Sequence, residues 1–151
     1  MTTHRYATSV DWRGSTASGY EHYRREHDAM VAPASISLEL TADPAFGGTP
    51  GRLNPEQLLV LAAASCQLLS FLAATARARI DVVAYHDDAE GEMLDDERPV
   101  RVTRITLRPR ITVQGNVSDE RILHLVDVAH RECYIANSVT TEIVIEPQIV
   151  H

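Results

Sequence analysis

The chain has 151 residues, 44% of them apolar and 23% charged, which suits one domain with one core and excludes a repeat array or a long low-complexity tail. Lys plus Arg total 14 against 21 Asp plus Glu, a formal charge of -7, so no basic field exists to hold a phosphate backbone and nucleic acid is excluded as a partner. The opening residues, MTTHRYATSVDWRG, contain neither an apolar run nor a small-residue cleavage site, and the only two cysteines, Cys66 and Cys133, are too few for a disulfide-built scaffold. A cytoplasmic location with free thiols is the expectation.

Taken in chain order, the first patterned stretch is Tyr20 to His27, YEHYRREH, a charged run that composition assigns to a solvated turn or strand. Ile36, Leu38 and Leu40 then alternate with polar residues, the period of a strand. Asp43 to Asn54, DPAFGGTPGRLN, is punctuated by Gly and Pro and reads as a loop into a helix. That helix is well marked: Asn54 suits the cap, Pro55 the first helical position, and Gln57 the reciprocal partner of a capping box. Leu58 to Ala76 is nearly long enough to span a bilayer, but Ser65, Gln67, Ser70 and Thr75 interrupt it and arginines flank both ends, so no membrane span is expected. The reading is a helix buried on nearly all sides at the centre of the domain.

Further strands are expected at Val82 to Tyr85, Gly91 to Met93, Val100 to Val102, around Ile105 to Val113, and at Ile143 to Ile145, with Pro109 pointing to an edge position or a bulge. A second helix is predicted over Ser118 to Cys133, capped by Ser118, with Ile122, Leu125, Val126, Ala129 and Cys133 on one apolar stripe. The order amounts to an α+β domain over residues 1–151.

Each cysteine, taken alone, reads as a small core side chain, because free cysteine is among the most buried residue types. What adds a chemical reading is that both lie on core-facing helices, where helix packing could bring them within bridging distance. A mid-helix thiol in apolar surroundings needs a cation to favour its thiolate, and the adjacent Arg24 and Arg25 are the richest candidates. The seven histidines form no helical i, i+4 pair, so neither a metal nor any other cofactor is expected.

The segments YEHYRREHDA, NPEQLLVLAAASCQLLSFL, YHDDAEGEM, ITLRPRITV and AHRECYIANSV together resemble the OsmC/Ohr family of thiol-dependent hydroperoxide reductases, in its OsmC-like branch. Agreement runs from about Trp12 to Pro147. The resemblance implies an OsmC-like fold, with antiparallel sheets packed around the long central helix and the second helix, an intertwined homodimer, and a peroxidase that reduces organic hydroperoxides to alcohols in oxidative-stress defence. It assigns Cys66 as the peroxidatic and Cys133 as the resolving cysteine, with Glu56 as the active-site glutamate. Its arginine matches Arg25 through the pattern Tyr23-x-Arg25-x-His27, with Arg24 as the neighbouring alternative. The implied reductant is an external dithiol, such as a lipoylated protein. Two departures stand out: Gln67 follows the nucleophile where many relatives carry His, and Phe46-Gly47-Gly48-Thr49 replaces Phe-Arg-Gly-Asp. A small-ligand binding or redox-sensing stress protein on the same fold is the competing reading.

Ten residues of continuous helix from Glu56 to Cys66 rise about 15 Å, so these two side chains of one chain cannot serve the same peroxide. Pairing of two such helices across a two-fold axis is the expected solution.

Overall fold

A computed structural model describes all residues, Met1–His151, as two compact units, Met1–Leu58 and Leu59–His151. The first unit holds a three-stranded antiparallel sheet, β1 (Ser9–Asp11), β2 (His27–Met30) and β3 (Ser37–Leu40), in the order β1-β2-β3. Only Ala29 and Leu40 of these strands are buried, which is why β1 and β2 carry no apolar alternation to read. After β3, Asp43 caps a short 3-10 turn and Gly47 closes it in the left-handed region at φ 80°. The unit ends on the first turn of α1 (Pro55–Arg77).

The capping box at that helix start forms as the residue types require. Asn54 Oδ1 accepts from the Gln57 amide at 2.8 Å, and Gln57 Oε1 accepts from the Asn54 amide at 3.0 Å.

In the second unit three stretches of chain each supply one strand to each of two sheets. One sheet has the order β4-β7-β9, built from β4 (Asp81–Asp87), β7 (Pro109–Gln114) and β9 (Gln148–Val150); the other has the order β5-β6-β8, built from β5 (Glu90–Met93), β6 (Val102–Leu107) and β8 (Glu142–Ile145). The pairs β4/β7 and β5/β6 are antiparallel, but β7/β9 and β6/β8 are parallel, so both sheets are mixed where antiparallel sheets were expected. Pro109 opens β7 one residue after β6 ends, and Pro147 lies between β8 and β9, so at both crossings a residue without an N–H stands where the chain leaves one sheet and enters the other. Pro109 therefore occupies neither an edge nor a bulge: it is the buried first residue of the central strand of its sheet, and the bulge lies in β4 between Val82 and Ala84.

Helix α2 (Asp119–Glu132) is capped by the Ser118 side chain, which accepts from the Arg121 amide, and it buries the expected stripe of Ile122, Leu125, Val126 and Ala129. These side chains cluster with Phe71 and Ala74 of α1 and with Ile111 and Val113 of β7. A second cluster joins Ala63 of α1 to Ile105 and Leu107 of β6. Helix α1 is long and apolar enough to cross a membrane by length and composition alone. Its burial is one-sided, contrary to the expectation of cover on nearly every face. Ala63, Gln67, Phe71 and Ala74 are buried on one stripe, while Leu61 and Leu69 are 59% and 63% exposed on the other. The two stripes are offset by two residues, about 200° around the helix, which places them on opposite faces.

Candidate functional site

The two thiols meet at the C-terminal end of α2. Cys66 is half-buried in the middle of α1, and Cys133 is the buried residue that ends α2, its amide donating to the His130 carbonyl at 3.3 Å. Both are free, and the two side chains lie beside each other. The turn that follows Cys133 aims its amides back at the sulfurs: Ile135 N–H donates to Cys66 Sγ at 3.4 Å and Ala136 N–H to Cys133 Sγ at 3.4 Å. Asn137 fixes that turn, its Nδ2 donating to the carbonyls of Arg131 and Cys133, each at 2.9 Å. A helix end whose carbonyls would otherwise lack partners is thereby satisfied, and the amides beside the thiols are held in place.

The two sulfurs have different surroundings. Burial pushes the Cys133 thiol up to about 11, and its hydrogen bond with Cys66 adds to the rise against the opposing pull of the Ala136 and Ile135 amides. Cys133 therefore keeps its proton at neutral pH. Cys66 instead opens onto a groove of about 530 Å³, walled by Leu69, Ser70 and Ala73 of α1 and by Tyr134. Arg77 and Arg131 stand at its rim; Arg77 is engaged by Glu132 at 2.7 Å, and Arg131 has no carboxylate within ion-pair distance. The arrangement offers one accessible sulfur with an N–H donor beside it, a protonated second sulfur within reach, and an apolar wall, which is the equipment for thiol oxidation followed by disulfide closure.

Arg25 and Glu56 lie in the first unit and are not joined to each other there. The Arg25 guanidinium donates to the carbonyls of Tyr20 at 2.7 Å and Tyr23 at 3.0 Å, and lies 4.8 and 4.2 Å from the centroids of their rings. Gly47 gives it room, since a Cβ there would stand 2.8 Å from the guanidinium carbon. Arg24, by contrast, is an exposed partner of Glu26 at 3.5 Å. The Thr49 hydroxyl, a backbone amide and Arg24 hold the Glu26 carboxyl down to about 2. With Glu26 committed to Arg24 and Thr49, Arg25 is left without a carboxylate, and Glu56 has a carboxylate oxygen shielded from solvent with no hydrogen-bond partner. Both side chains thus retain unused pairing capacity.

Sequence reasoning missed three features. The Ile135 amide is a backbone group that no residue type announces. Arg131 lies two residues before Cys133, and that proximity is the signal the sequence offers. The buried contact of Gln67 with α2 joins residues 59 apart, which spacing along the chain does not reveal. No group of three or more His, Cys, Asp or Glu side chains converges on a point that could hold a metal ion.

A family profile described as OsmC-like protein matches residues 48–148, two thirds of the chain and both cysteines. The chain belongs to the OsmC-like family. Solved OsmC-like structures share its fold over nearly their whole length. An OsmC-like protein of unknown function from Vibrio cholerae is 27% identical over 96% of this chain and 99% of its own, with a TM-score of 0.85. The organic hydroperoxide resistance protein OsmC from Legionella pneumophila is 14% identical over all of both chains, at 0.70. An organic hydroperoxide resistance protein from Elizabethkingia anophelis is 15% identical over 99% of this chain and 98% of its own, at 0.71. Comparison with curated proteins finds no match. The OsmC-like fold expected from the sequence is thus the one observed.

Proposed function

We propose that this OsmC-like protein reduces organic hydroperoxides to alcohols through Cys66 and Cys133, as part of a stress response in a reducing, cytoplasmic compartment. The observation that carries this reading is the meeting of the two thiols at the turn that follows α2, with Cys66 open to an apolar-walled groove. The names of its structural neighbours, organic hydroperoxide resistance proteins, support the same class of substrate.

The Cys66 thiolate attacks the outer peroxide oxygen. The O–O bond breaks, a sulfenic acid forms on Cys66, and the departing alkoxide takes a proton to become the alcohol. The protonated Cys133 thiol then condenses with the sulfenic acid, forming the disulfide and releasing water. An external dithiol, such as a lipoylated protein, reopens that disulfide by exchange and leaves as its own disulfide. Ile135 N–H is the donor placed at the reacting sulfur, and the cycle calls on no metal or other cofactor.

The family resemblance brings Arg25 to the thiolate and Glu56 to the arginine. Their unused pairing capacity supports this reading, and the rise of about 15 Å between Glu56 and Cys66 along α1 supports pairing Glu56 with the thiol of a second copy in a homodimer. In this reading residues 1–151 act as one OsmC-like domain.

Peroxide consumption tests the proposal. Wild-type protein should lose two thiols per hydroperoxide and turn over repeatedly with a dithiol such as dihydrolipoamide. Cys66→Ser should consume none, and Cys133→Ser should react once and then stall or over-oxidise. Undiminished activity of Cys66→Ser would overturn the assignment. Single turnover without recycling would favour the redox sensor, and bound ligand without thiol loss the binding protein.

A further inference from the structure

Gln67, the residue after Cys66, is 1% exposed in a cluster of otherwise apolar side chains between α1 and α2. Its Nε2 donates to the Val126 carbonyl of α2 at 3.2 Å, while its Oε1 is buried with no partner. An apolar side chain of the same length would fill this place without leaving a buried oxygen unsatisfied, so stability does not account for the amide. Geometry does. Val126 lies seven residues, about two helical turns, before Cys133, so both fall on the same face of α2. The Gln67 to Val126 bond therefore ties the residue beside one thiol to the helix face that carries the other. Apolar packing tolerates sliding of one helix along another, whereas a directional bond between a side chain and a fixed carbonyl selects one register. Disulfide closure is sensitive to that register, because the bond forms only over a narrow range of Cα separations.

We propose that Gln67 is a positioning residue that locks α2 in register on α1 so that Cys133 meets Cys66, and that it governs closure of the disulfide, not attack on peroxide. The inference rests on the redox-pair reading above, in which the Cys66 sulfenic acid and the Cys133 thiol condense to a disulfide and water.

The test compares wild type with Gln67→Met, which keeps length and volume and removes the tie. The Cys66–Cys133 couple is equilibrated with reduced and oxidised dithiothreitol, which needs no peroxide. The effective concentration of the two thiols should fall at least tenfold in Gln67→Met, a rise in reduction potential of about 30 mV. With an organic hydroperoxide in single turnover, formation of the sulfenic acid, trapped by dimedone, should stay within about twofold of wild type, while its conversion to disulfide slows at least tenfold. Gln67→Asn, too short to reach Val126, should behave likewise and serves if the methionine variant does not fold. An unchanged potential and closure rate in a folded variant, or equal slowing of both steps, would overturn the inference. A wild type that forms the disulfide against dithiothreitol yet consumes no hydroperoxide would instead overturn the peroxidase reading and leave the role of Gln67 standing.

Discussion

Cys133 and Cys66 are neighbours in different surroundings. Cys133 is 1% exposed and its thiol is raised from 9.0 to about 11, whereas Cys66 reaches a groove and accepts from an amide. A shift of that size leaves roughly a hundredfold less Cys133 thiolate at neutral pH than an unperturbed thiol would have. Alkylation with iodoacetamide at pH 8 should therefore label Cys66 at least tenfold faster than Cys133, as peptide mass mapping would read. The same shift affects folding. Between pH 9 and 11 the folded chain keeps a proton on Cys133 that the unfolded chain has lost, so this group's contribution is fully present below about pH 9 and declines as pH rises through 11. Urea midpoints of wild type should fall across that window, and Cys133→Ser should lose that part of the decline.

Among the elements, α1 shows how local and non-local forces divide the work. Its start is set by the reciprocal pair Asn54 and Gln57, which satisfies two amides that the helix itself leaves open. Asn54→Ala should cost about 1 kcal/mol, which in a domain of this size lowers the melting temperature by about 2–4 °C. Calorimetry on the reduced protein would measure it. Because the cap lies about 18 Å from Cys66 along the helix, the reactivity of that thiol should be unchanged in the same variant. Helix α2 works differently at its far end: it stops at Cys133, and the Asn137 amide holds the turn whose N–H groups face the sulfurs. The end of one helix and the middle of the other are thus the two structural inputs to the thiol pair.

For the whole molecule, the exposed stripe of Leu61, Leu69 and Leu72 on α1 lies opposite the stripe that packs on the sheets and α2. An apolar face of this kind on a helix that carries the reactive thiol is the surface a two-fold partner would cover, as the proposed homodimer requires. Sedimentation should give about twice the chain mass of 16.7 kDa. Mixing Glu56→Ala chains with Cys66→Ser chains provides the sharper test. If sites are shared, each hybrid dimer holds one intact site and activity returns to about a quarter of wild type, since half of the dimers formed are hybrids with one working site of two. A monomer, or hybrids without recovery, would rule out sharing.

What the amino-acid order determined by itself is what depends on neighbours along the chain. The caps at Asn54 and Ser118, the apolar stripe of α2, and the placing of Cys66 within a helix all follow from spacings of three or four residues, and the structure reproduces them, while Cys133, expected as the last helical residue, is the extended cap just past Glu132. The family was legible for the same reason, because its signature lies in contiguous runs around Cys66 and Cys133. Tertiary structure decided the rest. Strands β1 and β2 have polar sequences and exist through their ladder, and β6 pairs in parallel with β8 across more than thirty intervening residues. The donation of the Ile135 amide to Cys66 and the bond from Gln67 to Val126 join groups 69 and 59 residues apart. Helix α1 is the plainest case. A segment apolar on nearly every face does not encode which side will be covered, because burial is a property of what packs against it and only the folded chain supplies that.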